Sequence, residues 1–357
     1  MTDVKACIES LVRIQPDNEA RESCLRLDLN ENVGGLPEDF VRGVLSRVDA
    51  EYLATYPKYR RLREQIAGLH NLNANNISLG NGSDGSIKYL YESYIAAGDR
   101  VLLTDPTFAM YQVYGDMFEA RTVSVPYNAD FTFPMESFKC ALTDNIKLAV
   151  LVNPNNPTGT ALNRKDMESI VKQARDHNVM LLVDEAYHYF CDDTAMPLIT
   201  KYPNLIVLRT FSKLCALAAT RIGYAAGPAD IIGNIEKVKP TYDVNGLGVL
   251  FAQALLDQPE IIEQLIQKFQ KARDHLQQRL SAAGIPFRAG NANFTLIDVG
   301  QNAAEVLDKL REKKILVGGG FAQPNLANYI RVTIGDISAM DIFVNTLLPI
   351  LRKDNHE

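Results

Sequence analysis

Leu205-Ile206-Val207-Leu208-Arg209-Thr210-Phe211-Ser212-Lys213 is the stretch on which the reading of this chain turns. Four aliphatic residues in a row read as a strand buried on both faces, the pattern of a parallel sheet. Thr210 and Ser212 lie just past its end, where hydroxyls can meet a phosphate, and Lys213 follows with an amine. Arg221, at the head of Arg221-Ile222-Gly223-Tyr224, adds a planar fork of donors suited to a phosphate dianion. A lone lysine is ordinarily a solvated charge, and Arg221 alone reads more readily as half of a surface ion pair. Their company makes Lys213 an amine held ready to form a Schiff base.

Two further strand exits lie upstream. Val179-Met180-Leu181-Leu182 runs into Val183-Asp184-Glu185-Ala186-Tyr187, and ligand sites of open α/β sheets collect at such ends. An ionised Asp184 would keep a pyridine nitrogen protonated and so make the ring an electron sink, while Tyr187 would bond the ring's phenolic oxygen. Read singly, Asp184 is a cap and Tyr187 a half-buried core residue. Leu148-Ala149-Val150-Leu151 leads into Val152-Asn153-Pro154-Asn155-Asn156-Pro157-Thr158-Gly159, where two prolines and a glycine stop the strand. That turn presents the Asn156 amide to a ligand, or is only a rigid connection with Asn163 capping the next helix. An amine, a carboxylate, a phenol and a phosphate site together suit pyridoxal phosphate.

With these motifs in this order, the chain resembles the fold-type I pyridoxal-phosphate aminotransferases, and within them the histidinol-phosphate aminotransferase family. The resemblance runs from Leu27 to about Gly335. It is also carried by Leu27-Asp28-Leu29-Asn30-Glu31-Asn32, Tyr56-Pro57, Gly80-Asn81-Gly82-Ser83-Asp84, Asp105-Pro106-Thr107-Phe108 and Ile330-Arg331-Val332-Thr333-Ile334-Gly335. It implies that Gly82, Ser83 and Asp84 hold the cofactor phosphate at a helix N-terminus, joined by Thr210, Ser212 and Arg221. It implies that Phe108 stacks on the pyridine ring, that Asn156 and Tyr187 bond its phenolic oxygen, and that Asp184 bonds its nitrogen. Arg331 is the expected ligand of the substrate's acidic group, with Asn30 and Asn156 beside it. Tyr56 matches a tyrosine that crosses to the partner's phosphate, so a homodimer is implied. The implied reaction is transamination from an L-amino acid or a histidinol-phosphate-like amine to 2-oxoglutarate through a Lys213 aldimine, with Lys213, Asp184 and Tyr187 as the catalytic set.

The departures concern the substrate. The family usually carries an arginine shortly after the Ile315-Leu316-Val317 strand; here Gly318-Gly319-Gly320-Phe321 follows, with no arginine between Arg311 and Arg331. Ile14 stands where the family often has a tyrosine, with Arg13 and Lys58 the cations placed to compensate. Gly85 replaces an acidic residue, and Ala218-Ala219-Thr220 departs mildly from the usual approach to Arg221. The three glycines read as a flexible turn, as room for a bulky side chain, or as a cradle for a smaller anion. The same fold hosts decarboxylases of phosphorylated amino acids, a rival reading. A cofactor-sensing regulator is a remoter one, for the thirty or so residues before the first motif leave no room for a DNA-binding module.

At 357 residues and 46% hydrophobic, the chain can bury a large core. A net charge of −6 argues against nucleic acid or an anionic membrane as the main partner. Five cysteines, an odd number without a Cys-x-x-Cys pair, fit a reducing cytoplasm. No signal peptide or membrane-length apolar run is read, and the five histidines show no metal-ligand spacing. Strands are expected at 100–104, 121–125, 147–152, 179–183, 204–209 and 222–226. These alternate with helices in a mostly parallel, seven-stranded α/β sheet. A helix over 86–96, a long helix over 259–283 and a smaller α+β lobe after it complete the expectation. The expected domains are an N-terminal segment at 1–45 packing with the small lobe, a cofactor-binding domain at 46–258 and a small domain at 259–357.

Overall fold

The computed structural model describes residues 3–11 and 21–353. Twelve strands are described, β1 (Leu25–Leu27), β2 (Ile77–Asn81), β3 (Arg100–Asp105), β4 (Arg121–Pro126), β5 (Leu148–Val152), β6 (Met180–Asp184), β7 (Leu205–Thr210), β8 (Ile222–Ala226), β9 (Phe287–Ala289), β10 (Phe294–Asp298), β11 (Ile315–Val317) and β12 (Tyr329–Thr333). Seven form one sheet in the order β2-β8-β7-β6-β5-β3-β4, in which β8 alone runs against the others. The six strands expected in the middle of the chain are all present, within a residue of the reading.

The unbroken aliphatic runs are explained by the cover on both faces. In β5, Ala149 and Leu151 join the core beneath the helices Arg60–Leu69, Arg164–Asp176 and Gly246–Asp257, while Leu148, Val150 and Val152 join the core on the opposite face. That second core is closed by the helices Gly82–Tyr94, Met110–Met117 and Ala229–Val238. The Asn163 side chain accepts the Asp166 amide at 2.9 Å and caps Arg164–Asp176.

A second lobe has its own core, built from β10, β11 and β12 and the helices Pro259–Ala282, Ala303–Glu312 and Ile337–Lys353. β12-β10-β9 is an antiparallel sheet, and β1 pairs in parallel with β11, which places Leu27 in that core. Helix Glu38–Leu45 behaves differently: Phe40 and Val44 are buried in the core of the large sheet. The N-terminal segment therefore changes its packing partner between Val33 and Leu36, well before residue 45. No helix among the described residues is long and apolar enough to cross a membrane.

Candidate active site

Strands that run in one direction bring their ends to one edge. Val152 of β5 is level with Asp184 of β6, and Asp184 is level with Leu208 of β7. The Asn153–Gly159 turn, the Asp184–Tyr187 turn and the Lys213 loop therefore leave the sheet side by side. β2 and β3 add the Gly82 turn and the Pro106–Phe108 turn at the same edge. The peptide bonds Asp105-Pro106, Asn153-Pro154 and Asn156-Pro157 are cis.

A cradle of polar groups lies at the ends of β2 and β7 and the start of β8. The helix expected from residue 86 starts at Gly82, because the residues that read as a glycine-rich loop form its first turn. Asn81 precedes that turn and makes no side-chain cap bond; the Gly82 amide donates to Arg221 O at 3.0 Å, and the amides that follow it carry the partial positive charge of the helix N-terminus. Gly82 has a left-handed backbone, φ 69°, and a Cβ on it would lie 2.5 Å from Arg221 Nη2. Gly223 is equally constrained, since a Cβ there would stand 2.7 Å from the Ser83 amide. Thr210 Oγ1 donates to Ser212 Oγ at 2.9 Å, and Arg221 Nη1 reaches Ser212 Oγ at 3.5 Å. Two hydroxyls, a guanidinium and the helix amides after Gly82 converge in an arrangement suited to a dianion. Asp84 is engaged elsewhere, accepting the Tyr114 hydroxyl at 3.1 Å.

Lys213 lies at the mouth of this edge, its Nζ donating to Leu29 O at 3.1 Å and 5.7 Å from the Tyr187 ring centroid. Desolvation, with the nearby Arg331 and Arg221 charges, lowers its pKa to about 8 against the pull of Glu31 and Asp184. Asp184 is 2% exposed, and its Oδ2 accepts the Tyr111 hydroxyl at 2.7 Å while Oδ1 accepts the Ala186 amide at 3.0 Å. Burial raises its pKa to about 6, opposed by those two donors and by Lys213. The Tyr187 hydroxyl accepts from Asn30 Nδ2 at 2.8 Å. Asn30 is fixed in turn by Thr333 Oγ1, which accepts its amide at 3.1 Å and donates to its side chain at 3.2 Å. Phe108 meets Tyr111 edge-on with ring centroids 6.3 Å apart.

Arg331 projects from β12 into the same cleft. Its Nη1 donates to Asn156 Oδ1 at 2.5 Å and its Nη2 to Asp28 O, while Nε is buried without a hydrogen-bond partner. A buried guanidinium with an unused donor fits an incoming acid. Gly318 lies beside it: the two residues exchange backbone bonds at 2.8 Å, and a Cβ on Gly318 would come 3.1 Å from Arg331 Nη2. The first glycine of the run is thus a close-approach site.

Tyr56 stands apart from this cluster. It is 70% exposed and stacked on Tyr242, with centroids 4.0 Å apart. Lys58 is exposed, and Arg13 and Ile14 lie outside the described residues. Among the described residues no group of three or more His, Cys, Asp or Glu is arranged to hold a metal ion. Tyr111 lies outside the sequence motifs, and Thr333 and Asn32 lie within them with no role assigned; Asn32 Nδ2 donates to Leu214 O at 2.7 Å. Glu185 was quoted in a motif, yet its role is structural: Arg209 donates to its Oε2 at 2.8 and 3.0 Å in a buried ion pair.

The model of the aminotransferase class I and II family matches residues 22–347. The fold and the match define an aminotransferase. A histidinol-phosphate aminotransferase of Caldanaerobacter subterraneus subsp. tengcongensis is 33% identical over 330 residues, covering 91% of this chain and 93% of its own. Histidinol-phosphate aminotransferase 1 of Carboxydothermus hydrogenoformans is 35% identical over 318 residues, covering 87% of this chain and 88% of its own. The chain belongs to the histidinol-phosphate aminotransferase family within those of class I and II. A crystal structure of the Sinorhizobium meliloti histidinol-phosphate aminotransferase in complex with pyridoxal-5'-phosphate shares the fold. Its TM-score is 0.90 at 23% identity, over 99% of this chain and 98% of that one. The Thermus thermophilus aspartate aminotransferase with maleate does so at a TM-score of 0.83 and 19% identity, over 98% and 100%.

Proposed function

We propose that the enzyme moves an amino group from an L-amino acid or an amino-alcohol phosphate of the histidinol-phosphate kind to 2-oxoglutarate. The observation that carries this reading is the convergence of Lys213, Asp184, Tyr187 and Arg331 beside the open helix N-terminus at Gly82. The cofactor is pyridoxal 5'-phosphate, which supplies a ring that accepts the electrons of a broken Cα bond. Gly82, Ser83, Thr210, Ser212 and Arg221 hold its phosphate, with Asp84 bracing the helix turn. Phe108 covers the ring face, the Asp184 carboxylate accepts a hydrogen bond from the protonated ring nitrogen and keeps it protonated, and Asn156 and Tyr187 bond the phenolic oxygen.

Lys213 tethers the cofactor and, once displaced, is the base that carries a proton from the substrate's Cα. An amine with a pKa near 8 is partly neutral at physiological pH, which suits that role. Arg331 holds the substrate acid, exchanging its bonds to Asn156 and Asp28 O for the ligand's oxygens. Asn30 supports the site through Tyr187 and borders the substrate.

The active unit is a homodimer. Tyr56, Tyr242, Leu53 and Leu247 form an exposed apolar surface, and Asn245 within it donates to Thr220 O at 2.6 Å, next to Arg221. On this reading Tyr56 reaches the partner's phosphate site across that surface. We divide the chain at 1–45, 46–258 and 259–357, with the first segment passing from the small lobe to the large sheet near residue 35, and place it in the cytoplasm on its odd cysteine count.

The test is to mix cofactor-loaded protein with L-histidinol phosphate, without an oxo acid. Bleaching of the visible absorption with release of keto product supports the reading. An unchanged spectrum with this donor and with a panel of amino acids refutes it. Lys213→Ala retaining full turnover would overturn the central assignment.

A further inference from the structure

Tyr111 is 73 residues from Asp184 in sequence, and no motif assigns it a role. Its side chain is fully buried in the helix Met110–Met117, with its hydroxyl donating to Asp184 Oδ2 at 2.7 Å. The other carboxylate oxygen takes the Ala186 amide at 3.0 Å. Each oxygen of Asp184 therefore has one donor, and the carboxylate plane is pinned from both sides. The Tyr111 ring also stands at 81° to Phe108. One side chain thus contacts the group at the ring nitrogen and the group at the ring face.

We propose that Tyr111 is the positioning residue of the cofactor's ring-nitrogen subsite, holding Asp184 as an oriented carboxylate. The inference rests on reading Asp184 as the partner of that nitrogen. A buried carboxyl drifts toward its neutral form, and a neutral acid cannot hold a pyridinium proton. A hydroxyl that donates to one oxygen favours the charged form and fixes which lone pairs face the ring. Burial keeps the phenol's own proton in place, so Tyr111 acts as a donor only. Asp184 cannot be served from water at 2% exposure, so the phenol and one backbone amide are its fixed donors.

The experiment is a double-mutant cycle on cofactor binding. The dissociation constant of pyridoxal phosphate is measured for the wild type, Y111F, D184N and the double variant, with the absorption of the bound cofactor followed against pH. Loss of a hydrogen bond to a charged group predicts about tenfold weaker binding in Y111F. In the D184N background, Y111F should change binding by less than about twofold, because the route through the carboxylate is gone. In Y111F the pH transition of the bound cofactor should move, and kcat should fall with KM for the donor unchanged. Y91F is the control: it removes a 3.1 Å bond onto the Tyr111 backbone carbonyl and should leave cofactor affinity unchanged.

Wild-type affinity in Y111F, or an equal loss in both backgrounds, overturns the proposal and leaves Tyr111 a core side chain. Should Y111F not fold, 3-fluorotyrosine at position 111, a stronger donor of nearly the same size, must tighten binding; no change overturns the proposal. Failure of the wild type to bind the cofactor would instead sink the reading on which the proposal rests.

Discussion

Replacing Gly318 by alanine tests whether the glycine run exists to seat Arg331. The new Cβ would stand 3.1 Å from Nη2, 3.2 Å from Nε and 3.3 Å from the carbonyl oxygen of Arg331. Comfortable contacts with carbon begin at roughly 3.5 Å. The backbone cannot yield, because Gly318 and Arg331 are tied by two hydrogen bonds of 2.8 Å. The guanidinium must therefore shift by about 0.4 Å, the difference between those separations. Its fork is aimed by Asn156 Oδ1 and Asp28 O, and a bidentate grip on a carboxylate tolerates little misalignment. A charge-assisted bond contributes about 1.5–3 kcal/mol. Losing about half of the upper figure predicts a KM for 2-oxoglutarate raised roughly tenfold. Neither Lys213 nor Asp184 is touched, so kcat and the visible spectrum should hold. Steady-state kinetics with the oxo acid varied provides the assay. Gly320→Ala is the comparison: its φ of 69° makes alanine cost about 1 kcal/mol of stability, yet nothing lies near its Cβ. An unchanged KM in Gly318→Ala, or an equal rise in Gly320→Ala, refutes the argument.

Three other outcomes follow from the geometry. Arg209→Met leaves the buried Glu185 carboxylate without its guanidinium and should cost about 3–5 kcal/mol in denaturant unfolding; a loss below about 1 kcal/mol contradicts the pairing. His70 has its pKa lowered from 6.5 to about 4, by burial and by the Arg209 charge, so the unfolded chain binds a proton there that the folded protein refuses. Stability should then fall as pH drops from about 6.5 toward 4, with His188 acting in the same sense, and His70→Gln should flatten part of that slope in melting curves. An undiminished slope would be evidence against a neutral buried His70. Hybrid dimers of Lys213→Ala and Tyr56→Phe subunits test the crossing tyrosine. If Tyr56 serves the partner, each hybrid keeps one intact site and about half the wild-type activity; if it serves its own subunit, no intact site remains.

What could be read from sequence, and what could not, divides along a physical line. β5, β6 and β7 were legible because two helical layers bury both faces, which leaves aliphatic runs that no other environment favours. Lys213, Asp184 and Asn156, the residues proposed for the site, each follow such a run, at the edge where parallel strands end together. The helix start at Gly82 was misplaced by four residues, since glycine, serine and aspartate serve equally as a loop and as a first turn whose amides face an anion. Helix Gly246–Asp257 went unread for a related reason: Gly246 and Gly248 suggest a break, yet a Cβ on Gly248 would lie 2.7 Å from Thr220 O. Glycine there permits a close approach and carries no signal of a turn. Long-range pairs leave no local trace at all. Asn30 and Thr333 are separated by 303 positions, and neither Tyr111 nor Thr333 differs in its surroundings from an ordinary core residue until the lobes are assembled. A motif therefore marks where a side chain leaves its element, while the groups that aim it and set its charge come from elements elsewhere in the chain. The same distinction separates the two parts of this site. On the proposed assignment, the cofactor pocket comes mainly from the ends of adjacent strands, where the sequence pattern also points. The acid-binding part depends on the β11–β12 register and the segment at Asp28–Asn32, and only the folded lobes show why Gly318 must lie beside Arg331.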